Sequence, residues 1–203
     1  MPTLRRRVLR SCLALAILAL GAYVGFTGPR RGVPYPDKAS SPYRLPWDEG
    51  RSHFCIQGNR AVVSHRGSEE FAWDFVMPAG TPVLAMRGGV VSRVVDDHDG
   101  NGFGKSNNFL IVDHGDGTLG WYVHIRRGGA LVRVGQVVRR GEPVARSGNV
   151  GRSLLPHLHV QVTRSLDGPT IPISFGDAPE PDGVPRMFRT VAAESPSGTV
   201  PLR

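Results

Sequence analysis

The residues that could bind a metal or transfer protons are histidines and one aspartate near the ends of short apolar runs. The densest group is PHLHVQV, in which one residue separates His157 from His159. In a β-strand, residues i and i+2 project from the same face, so both imidazoles can reach one point while Leu158 turns to the core. Neutral imidazole is a common zinc ligand. The pair therefore indicates a metal site, although two unrelated surface histidines would give the same spacing.

A second group lies upstream, where His65 precedes an acidic residue in an apolar context. Asp74 stands between Trp73 and Phe75. A buried carboxylate without a partner is costly, and a divalent cation would be such a partner. Further along, alternation in the run WYVHI allows His124 to point into the same cleft.

The elements that must position these residues are short strands. Runs such as TPVLAM, GVVSRVV, NFLIVDH and HLHVQVTR are rich in β-branched residues and are separated by Gly, Asp and Asn clusters, without sustained helical periodicity. The pattern predicts an all-β domain, a small antiparallel sheet or barrel-sandwich, over residues 51–177. A chain of 203 residues has room for one such domain.

Both ends of the chain differ from this domain. Residues 1–32 place four arginines before an apolar run from Cys12 to Phe26, the order of a secretory signal. The run is short for a bilayer span, which needs roughly 20 apolar residues, but no small-x-small cleavage site follows it, so we favour an uncleaved membrane anchor. Residues 33–50 are rich in Pro and Ser and predict an extended linker. Residues 178–203 predict a loosely ordered tail.

Charge and cysteine content exclude two classes of protein. The net charge is +8, but residues 1–32 hold six arginines and no acid, so the 25 basic residues fall to 19 beyond them, against 17 acidic residues. A nearly neutral domain argues against nucleic acid as a partner. Cys55 is the only cysteine after the leader, which excludes an intrachain disulfide there.

Taken in order, three segments resemble the lysostaphin-type, LytM-like zinc metallopeptidases. They are His65 followed by AWDFVMPAGTPVLA, then NNFLIVDHGDGTLGWYVHI, then VRVGQVVRRGEPVARSGNVGRSLLPHLHVQV, and together they run from about Ser64 to Val162. The resemblance implies the fold of that family and one zinc ion per chain. It assigns the metal ligands to His65, Asp74 and His159.

The same resemblance implies an enzyme that acts on stem peptides or cross-bridges of peptidoglycan, and the leader of residues 1–32 predicts export to the periplasm or cell envelope. It assigns the two non-ligand histidines of the site to His124 and His157, with their roles undivided. Three protein ligands leave a fourth zinc position for water, as in catalytic sites. Asn108 matches an asparagine of the family that contacts substrate or closes a turn, and we take it as a candidate substrate-binding residue. His114 is expected to be structural, hydrogen-bonded to Asp113 or Asp116.

One feature departs from the short form of the family's motif. Eight residues, RGSEEFAW, separate His65 from Asp74, whereas the short form has three. Relatives with longer spacing and a DFxMPxGTPV block resemble this sequence better. His53, Glu69 and Glu70 remain alternatives for the first ligand.

Three other interpretations stay open. The domain could be a non-catalytic relative that binds cell-wall material or activates an amidase. The paired Gly-rich hairpins could form a lipoyl-type carrier, but such a carrier needs a lysine at a hairpin tip. The loop DHDGNGFGKSNN begins like a calcium loop, yet Asn108 stands where a bidentate Glu is required, which favours a hairpin loop beside the cleft.

Overall fold

Short β-branched and aromatic runs between glycine-rich turns form the strands of this protein, as the sequence predicts. The computed structural model describes residues 12–13, 28–30 and 32–195. The strands are β1 (Ser52–Gln57), β2 (Trp73–Val76), β3 (Pro82–Leu84), β4 (Gly89–Val95), β5 (Phe109–Asp113), β6 (Leu119–Val123), β7 (Val137–Val138), β8 (Pro143–Arg146), β9 (His157–Thr163) and β10 (Arg189–Ala192). Two single-turn 3-10 helices cover Lys38–Ser40 and Gly67–Glu69.

The strands form two antiparallel sheets. Eight strands pair in the order β10-β1-β2-β9-β6-β5-β4-β7, and β3 pairs with β8 in a small second sheet. The all-β prediction is confirmed. Alternation decides which face of the large sheet is buried: in β9, Leu158, Val160 and Val162 enter the core, while His157 and His159 project from the other face.

Part of the segment before β1, predicted as an extended linker over residues 33–50, packs against the core. Tyr43, Leu45 and Trp47 are all buried. They stand at every second position, so an extended segment places them on one side, a pattern that the Pro- and Ser-rich composition hides. The Leu45 backbone N–H donates to the Asp177 carboxylate over 2.7 Å, and Arg44 lies 3.7 Å from the same carboxylate.

The segment after β9 is also ordered, which corrects the expectation of a loose tail for residues 178–195. β10 pairs with β1, with Val191 opposite His53. Val184 and Val191 are fully buried. The Gly50 N–H donates to Ala193 O over 3.0 Å, so the two segments bond directly to each other. We call residues 41–50 and 173–195 together the terminal clasp.

The predicted membrane anchor over residues 1–32 falls almost wholly outside the described residues. Within the part of the chain that the structure describes, no helix combines the length and apolar character that a bilayer crossing requires. The anchor therefore stays a prediction. Residues 196–203 of the predicted tail also lie outside the described part.

Candidate metal centre

Two neighbouring strands and one turn bring three possible ligands together. Asp74 on β2 and His159 on β9 are direct register partners in an antiparallel pair. Residues directly opposite in such a pair project from the same face of the sheet. His65 joins them from the connection between β1 and β2. One ligand atom from each of the three residues lies within 4.8 Å of the others.

Hydrogen bonds leave the inward-facing atoms of these residues free to bind a cation. His65 Nδ1 lies 3.1 Å from Gly58 O, and a carbonyl only accepts, so in the neutral imidazole Nδ1 carries the proton and Nε2 has the lone pair. That Nε2 is buried without a hydrogen-bond partner, although Asp74 Oδ1 lies 3.2 Å away. Two acceptors facing each other in a buried site are the arrangement that a metal ion satisfies.

The third ligand completes the same arrangement. His159 Nδ1 lies 2.8 Å from Asp74 Oδ1, and His159 Nε2 lies 2.9 Å from Gln161 Oε1. When His159 Nε2–H donates to Gln161, Nδ1 is available as a ligand. Two imidazoles and a carboxylate are a donor set that zinc accepts, so the residues present fit that ion.

Two residues that orient the candidate ligands by hydrogen bonds were not predicted from the sequence. Gln57 Nε2 donates to Asp74 Oδ2 over 2.5 Å and also to Ser64 Oγ over 2.9 Å. Gln161 accepts from His159. Outer hydrogen bonds of this kind fix ligand orientation and tune metal affinity. The signal for Gln161 was available, because it follows His159 by two residues and therefore lies on the same face of β9.

Burial and neighbouring charged or hydrogen-bonding groups shift the pKa values of Asp74 and His159 in opposite directions. Burial acts to raise the pKa of the Asp74 carboxyl, but His65 and His159 beside it hold that pKa well below its usual value. Burial acts to lower the pKa of His159, and the Asp74 hydrogen bond outweighs it, so the pKa is raised. Asp74 is therefore a carboxylate throughout the physiological range.

His124 and His157 lie side by side next to this cluster, with ring centroids 4.6 Å apart. His124 Nδ1 donates to Val150 O over 2.9 Å, and His157 Nδ1 donates to Leu155 O over 2.8 Å. Burial lowers the pKa of both rings, that of His124 to about 3. Both are thus neutral near pH 7, with unprotonated Nε2 atoms. His157 Nε2 lies 3.7 Å from Asp74 Oδ1.

The backbone of His124 is held in an unusual conformation. Its φ angle is 66°, in the left-handed region that few non-glycine residues adopt. Its N–H donates to Asn108 O over 2.8 Å. A side chain at Gly148 would collide with the backbone of His124 and Arg126, so the tight passage there requires glycine.

The hydrogen bonds of Asn108 favour turn closure, one of the two roles predicted for it. Its side chain is fully buried, its Oδ1 accepts from His98 N over 3.0 Å, and its Nδ2 donates to His98 O over 3.1 Å. With both polar groups bonded to the backbone, the Asn108 side chain closes the loop before β5. It acts on the site through the carbonyl that holds His124.

The rival residues lie away from the ligand cluster or outside its ligand set. His53 is half-buried, with Nδ1 3.1 Å from Val76 O. Glu70 pairs with Arg30 at 3.2 Å, and Glu69 lines the cleft without joining the three ligands. His114 Nδ1 contacts Gly88 O at 3.0 Å, which replaces the partner expected from Asp113 or Asp116.

A cleft of about 1110 Å³ opens over the cluster. His124, His157 and His159 line its floor, and the loop between β4 and β5 lines one side. Phe103 and Leu154 project into it with 78% and 72% of their surface exposed. This volume is at the upper end of small-molecule pockets and suits a larger substrate.

Comparison with known families gives a match to Peptidase family M23 over residues 68–171. The matched range includes Asp74, His124, His157 and His159, and it begins three residues after His65.

Sequence relatives agree with this match. Peptidoglycan DD-endopeptidase ShyA of Vibrio cholerae is 35% identical over 51% of this chain and 21% of its own length. An uncharacterized metalloprotease of Haemophilus influenzae is 32% identical over 70% of this chain and 28% of its own length. Among solved structures, lysostaphin from Staphylococcus simulans covers 64% of this chain and 49% of its own, at 26% identity and a TM-score of 0.49. The chain thus spans about a quarter of these two sequence relatives, and the family assignment rests on the family match.

Proposed function

Because the chain belongs to Peptidase family M23, we propose that it is a zinc-dependent endopeptidase that hydrolyses peptide bonds of bacterial cell-wall peptidoglycan. The name of the Vibrio cholerae relative, a peptidoglycan DD-endopeptidase, supports this substrate class. The observation that carries the proposal is the ligand cluster, in which His65 Nε2 and Asp74 Oδ1 face each other at 3.2 Å.

Three protein ligands are the number found in catalytic zinc sites. When bound, zinc supplies a Lewis acid that acidifies water and polarises a carbonyl. His65, Asp74 and His159 would hold that ion, and hydrogen bonds to Gln57 and Gln161 orient Asp74 and His159. The exposed cleft beside the cluster admits the substrate peptide.

Proton transfer falls to His124 and His157. Because both rings are neutral with Nδ1 bonded to backbone carbonyls, each presents an Nε2 that can take a proton. One ring removes a proton from the attacking water, and the protonated ring returns it to the leaving amine. The charge on a protonated imidazole also stabilises the developing oxyanion.

The alternative is a non-catalytic role, in which the domain binds cell-wall material or activates an amidase. An exported domain could act in this way without hydrolysing peptide bonds. All three ligands and both neighbouring histidines are present and converge here. Hydrolysis accounts for this complete set, whereas binding alone does not require it.

Export and membrane attachment are further parts of the proposal. The basic and apolar segments of residues 1–32 support export, and peptidoglycan lies outside the cytoplasm. The folded unit is proposed to extend from residue 33 to residue 195, because the terminal clasp packs on the core.

The test combines zinc content with peptide release from purified peptidoglycan, using residues 28–203. Near-stoichiometric zinc and peptide release, both lost in His159→Ala, are expected. His98→Ala is the matched control, because His98 is an exposed histidine at the cleft edge outside the ligand cluster. Absence of zinc from the parent protein, or equal peptide release by His159→Ala, would refute the proposal.

A further inference from the structure

A surface next to the metal centre carries an arginine that the proposed chemistry does not use. Two rows of facing residues cross the sheet from β9 to β4. One row is His159, Val123, Phe109 and Val95, and the other is Gln161, Trp121, Ile111 and Arg93. The cleft therefore continues from the metal ligands over an aromatic floor and ends at Arg93 on β4.

The guanidinium of Arg93 is held over this floor. Its central carbon lies 5.8 Å from the centroid of the Phe109 ring, within the range of a cation–π contact. The Phe109 ring in turn packs against Trp121, with centroids 5.6 Å apart. Arg93 itself is exposed on the cleft side of β4. Its charge is thus positioned by packing and remains open to a ligand.

Arg93 has no acidic partner in the described part of the chain, unlike several other arginines of the protein. Arg87 pairs with Asp116 at 2.6 Å, Arg186 pairs with Asp182 at 2.6 Å, and Arg127 lies 3.5 Å from Asp99. Among the described residues, no carboxylate forms an ion pair with Arg93. Its five donors are available in a planar fork that matches a carboxylate.

We infer that Arg93 is a specificity-determining residue that binds a free carboxylate of the substrate peptide, with Phe109 and Trp121 forming the floor beneath. The inference rests on the proposed function and deepens it by naming the substrate as an anionic peptide. An uncharged glycyl bridge would leave Arg93 without a partner.

Strand geometry sets where that carboxylate lies. β4 is three strand spacings from β9, roughly 14 Å at about 4.8 Å each. An extended peptide covers roughly 3.4 Å per residue. The carboxylate therefore lies within about four residues of the scissile bond. Lys105 and Arg152 also line the cleft, on loops, and add a general attraction for anions without the fixed geometry of Arg93.

The test compares two peptide probes. Cross-linked peptides released from purified peptidoglycan keep their free carboxylates, and a second batch has them converted to amides. For the zinc-loaded parent protein we expect kcat/KM to favour the carboxylate form by about tenfold to a hundredfold, as for a hydrogen bond between charged groups. In Arg93→Gln this preference should fall to near one, because turnover of the carboxylate form drops towards that of the amide form. Arg93→Lys keeps part of the preference, because it retains the charge and loses the fork.

Two further measurements make the result decisive. Arg152→Gln removes another cation of the cleft and should keep most of the preference for the carboxylate probe. If Arg152→Gln loses as much of this preference as Arg93→Gln, the positive charge of the whole cleft causes the preference, and the specific role of Arg93 is overturned. Binding of both probes is measured by calorimetry in the zinc-loaded His157→Gln background, where hydrolysis is expected to be slow. The parent protein could fail to cleave the peptides while binding still favours the carboxylate probe and depends on Arg93. That result would refute the hydrolase and keep this inference. If the parent protein cleaves the peptides and Arg93→Gln keeps the same preference for the carboxylate probe, the hydrolase stands and this inference is overturned.

Discussion

The metal centre and the terminal clasp are both assembled from distant parts of the chain, but different interactions hold them. In the proposed metal centre, hydrogen bonds from Gln57 to Asp74 and from His159 to Gln161 fix two of the candidate ligands. In the clasp, Trp47 packs against Phe75 with ring centroids 4.8 Å apart, and its indole N–H has no hydrogen-bond partner.

This difference teaches that chemistry and stability are separable in this fold. Substitutions at the metal centre should change zinc binding and turnover with small effects on folding. Substitutions in the clasp should lower the free energy of unfolding and leave the chemistry of the folded fraction intact. Single substitutions and their controls can separate effects on zinc binding and turnover from effects on the free energy of unfolding.

The largest effect is expected for Asp74→Ala. Removal of the carboxylate takes away the one ligand that faces both histidines, at 3.2 Å and 2.8 Å. Zinc content and turnover should both fall to background, while circular dichroism still shows a folded β protein, because the core lies on the other face of the sheet. Asp167→Ala, at an exposed position, is the control. Full zinc and turnover in Asp74→Ala would disprove the ligand assignment.

His157→Ala should separate zinc binding from catalysis. The ring contacts His124 but is outside the ligand set. Loss of a positioned acid or base costs about 10²- to 10⁴-fold in rate, so kcat should fall by that factor while zinc content stays near that of the parent. Elemental analysis and kcat are measured on the same preparation. A loss of zinc as complete as in Asp74→Ala would make His157 a ligand.

Trp47→Ala tests the clasp from the opposite direction. Truncating a fully buried tryptophan costs about 3–5 kcal/mol of the free energy of unfolding, measured by urea denaturation. The folded fraction should keep its zinc, because Trp47 packs on Phe75, which projects to the other face of β2 from Asp74. Trp47→Phe is the matched control, with a smaller loss, since it keeps an aromatic ring and removes an unpaired N–H. Zinc loss in folded Trp47→Ala would break the separation.

The smallest effect is expected for Gln161→Leu. The ligand His159 stays in place but its Nε2 loses the acceptor at 2.9 Å. Outer-ligand changes of this kind weaken metal affinity by about 10- to 100-fold, which competition with a zinc chelator measures. Gln136→Leu, in the turn before β7, should leave the affinity unchanged. Unchanged affinity in Gln161→Leu would show that Gln161 does not orient the ligand.

The two regions also differ in how far the sequence predicted them. The all-β fold followed from the alternation of apolar residues, and the resemblance pointed to His65, Asp74 and His159, whose residue types suit only a few roles. Their convergence depends on the register in which the strands pair, which the sequence does not show. Gln57 was missed because a glutamine at the end of a strand is common and does not indicate a metal site.

The clasp was not predicted because its apolar residues are dispersed. Tyr43, Leu45 and Trp47 alternate with Arg44 and Pro46 in a segment whose composition is typical of a linker. Their burial depends on tertiary contacts with the Asp177 region and Phe75, which local composition does not encode. For the same reason the sequence left two roles open for Asn108, whose side chain closes a loop.

The register between β2 and β9 has a consequence for changes in chain length. Asp74 and His159 are opposed directly, so one residue inserted or deleted within β2 would turn the carboxylate to the core side. His65 arrives from a connection outside any strand, so a change in length at residues 66–69 should leave the register of Asp74 and His159 unaltered. A scan of single-residue insertions, scored by zinc content, should show tolerance at the 3-10 turn Gly67–Glu69 and abrupt loss within Trp73–Val76.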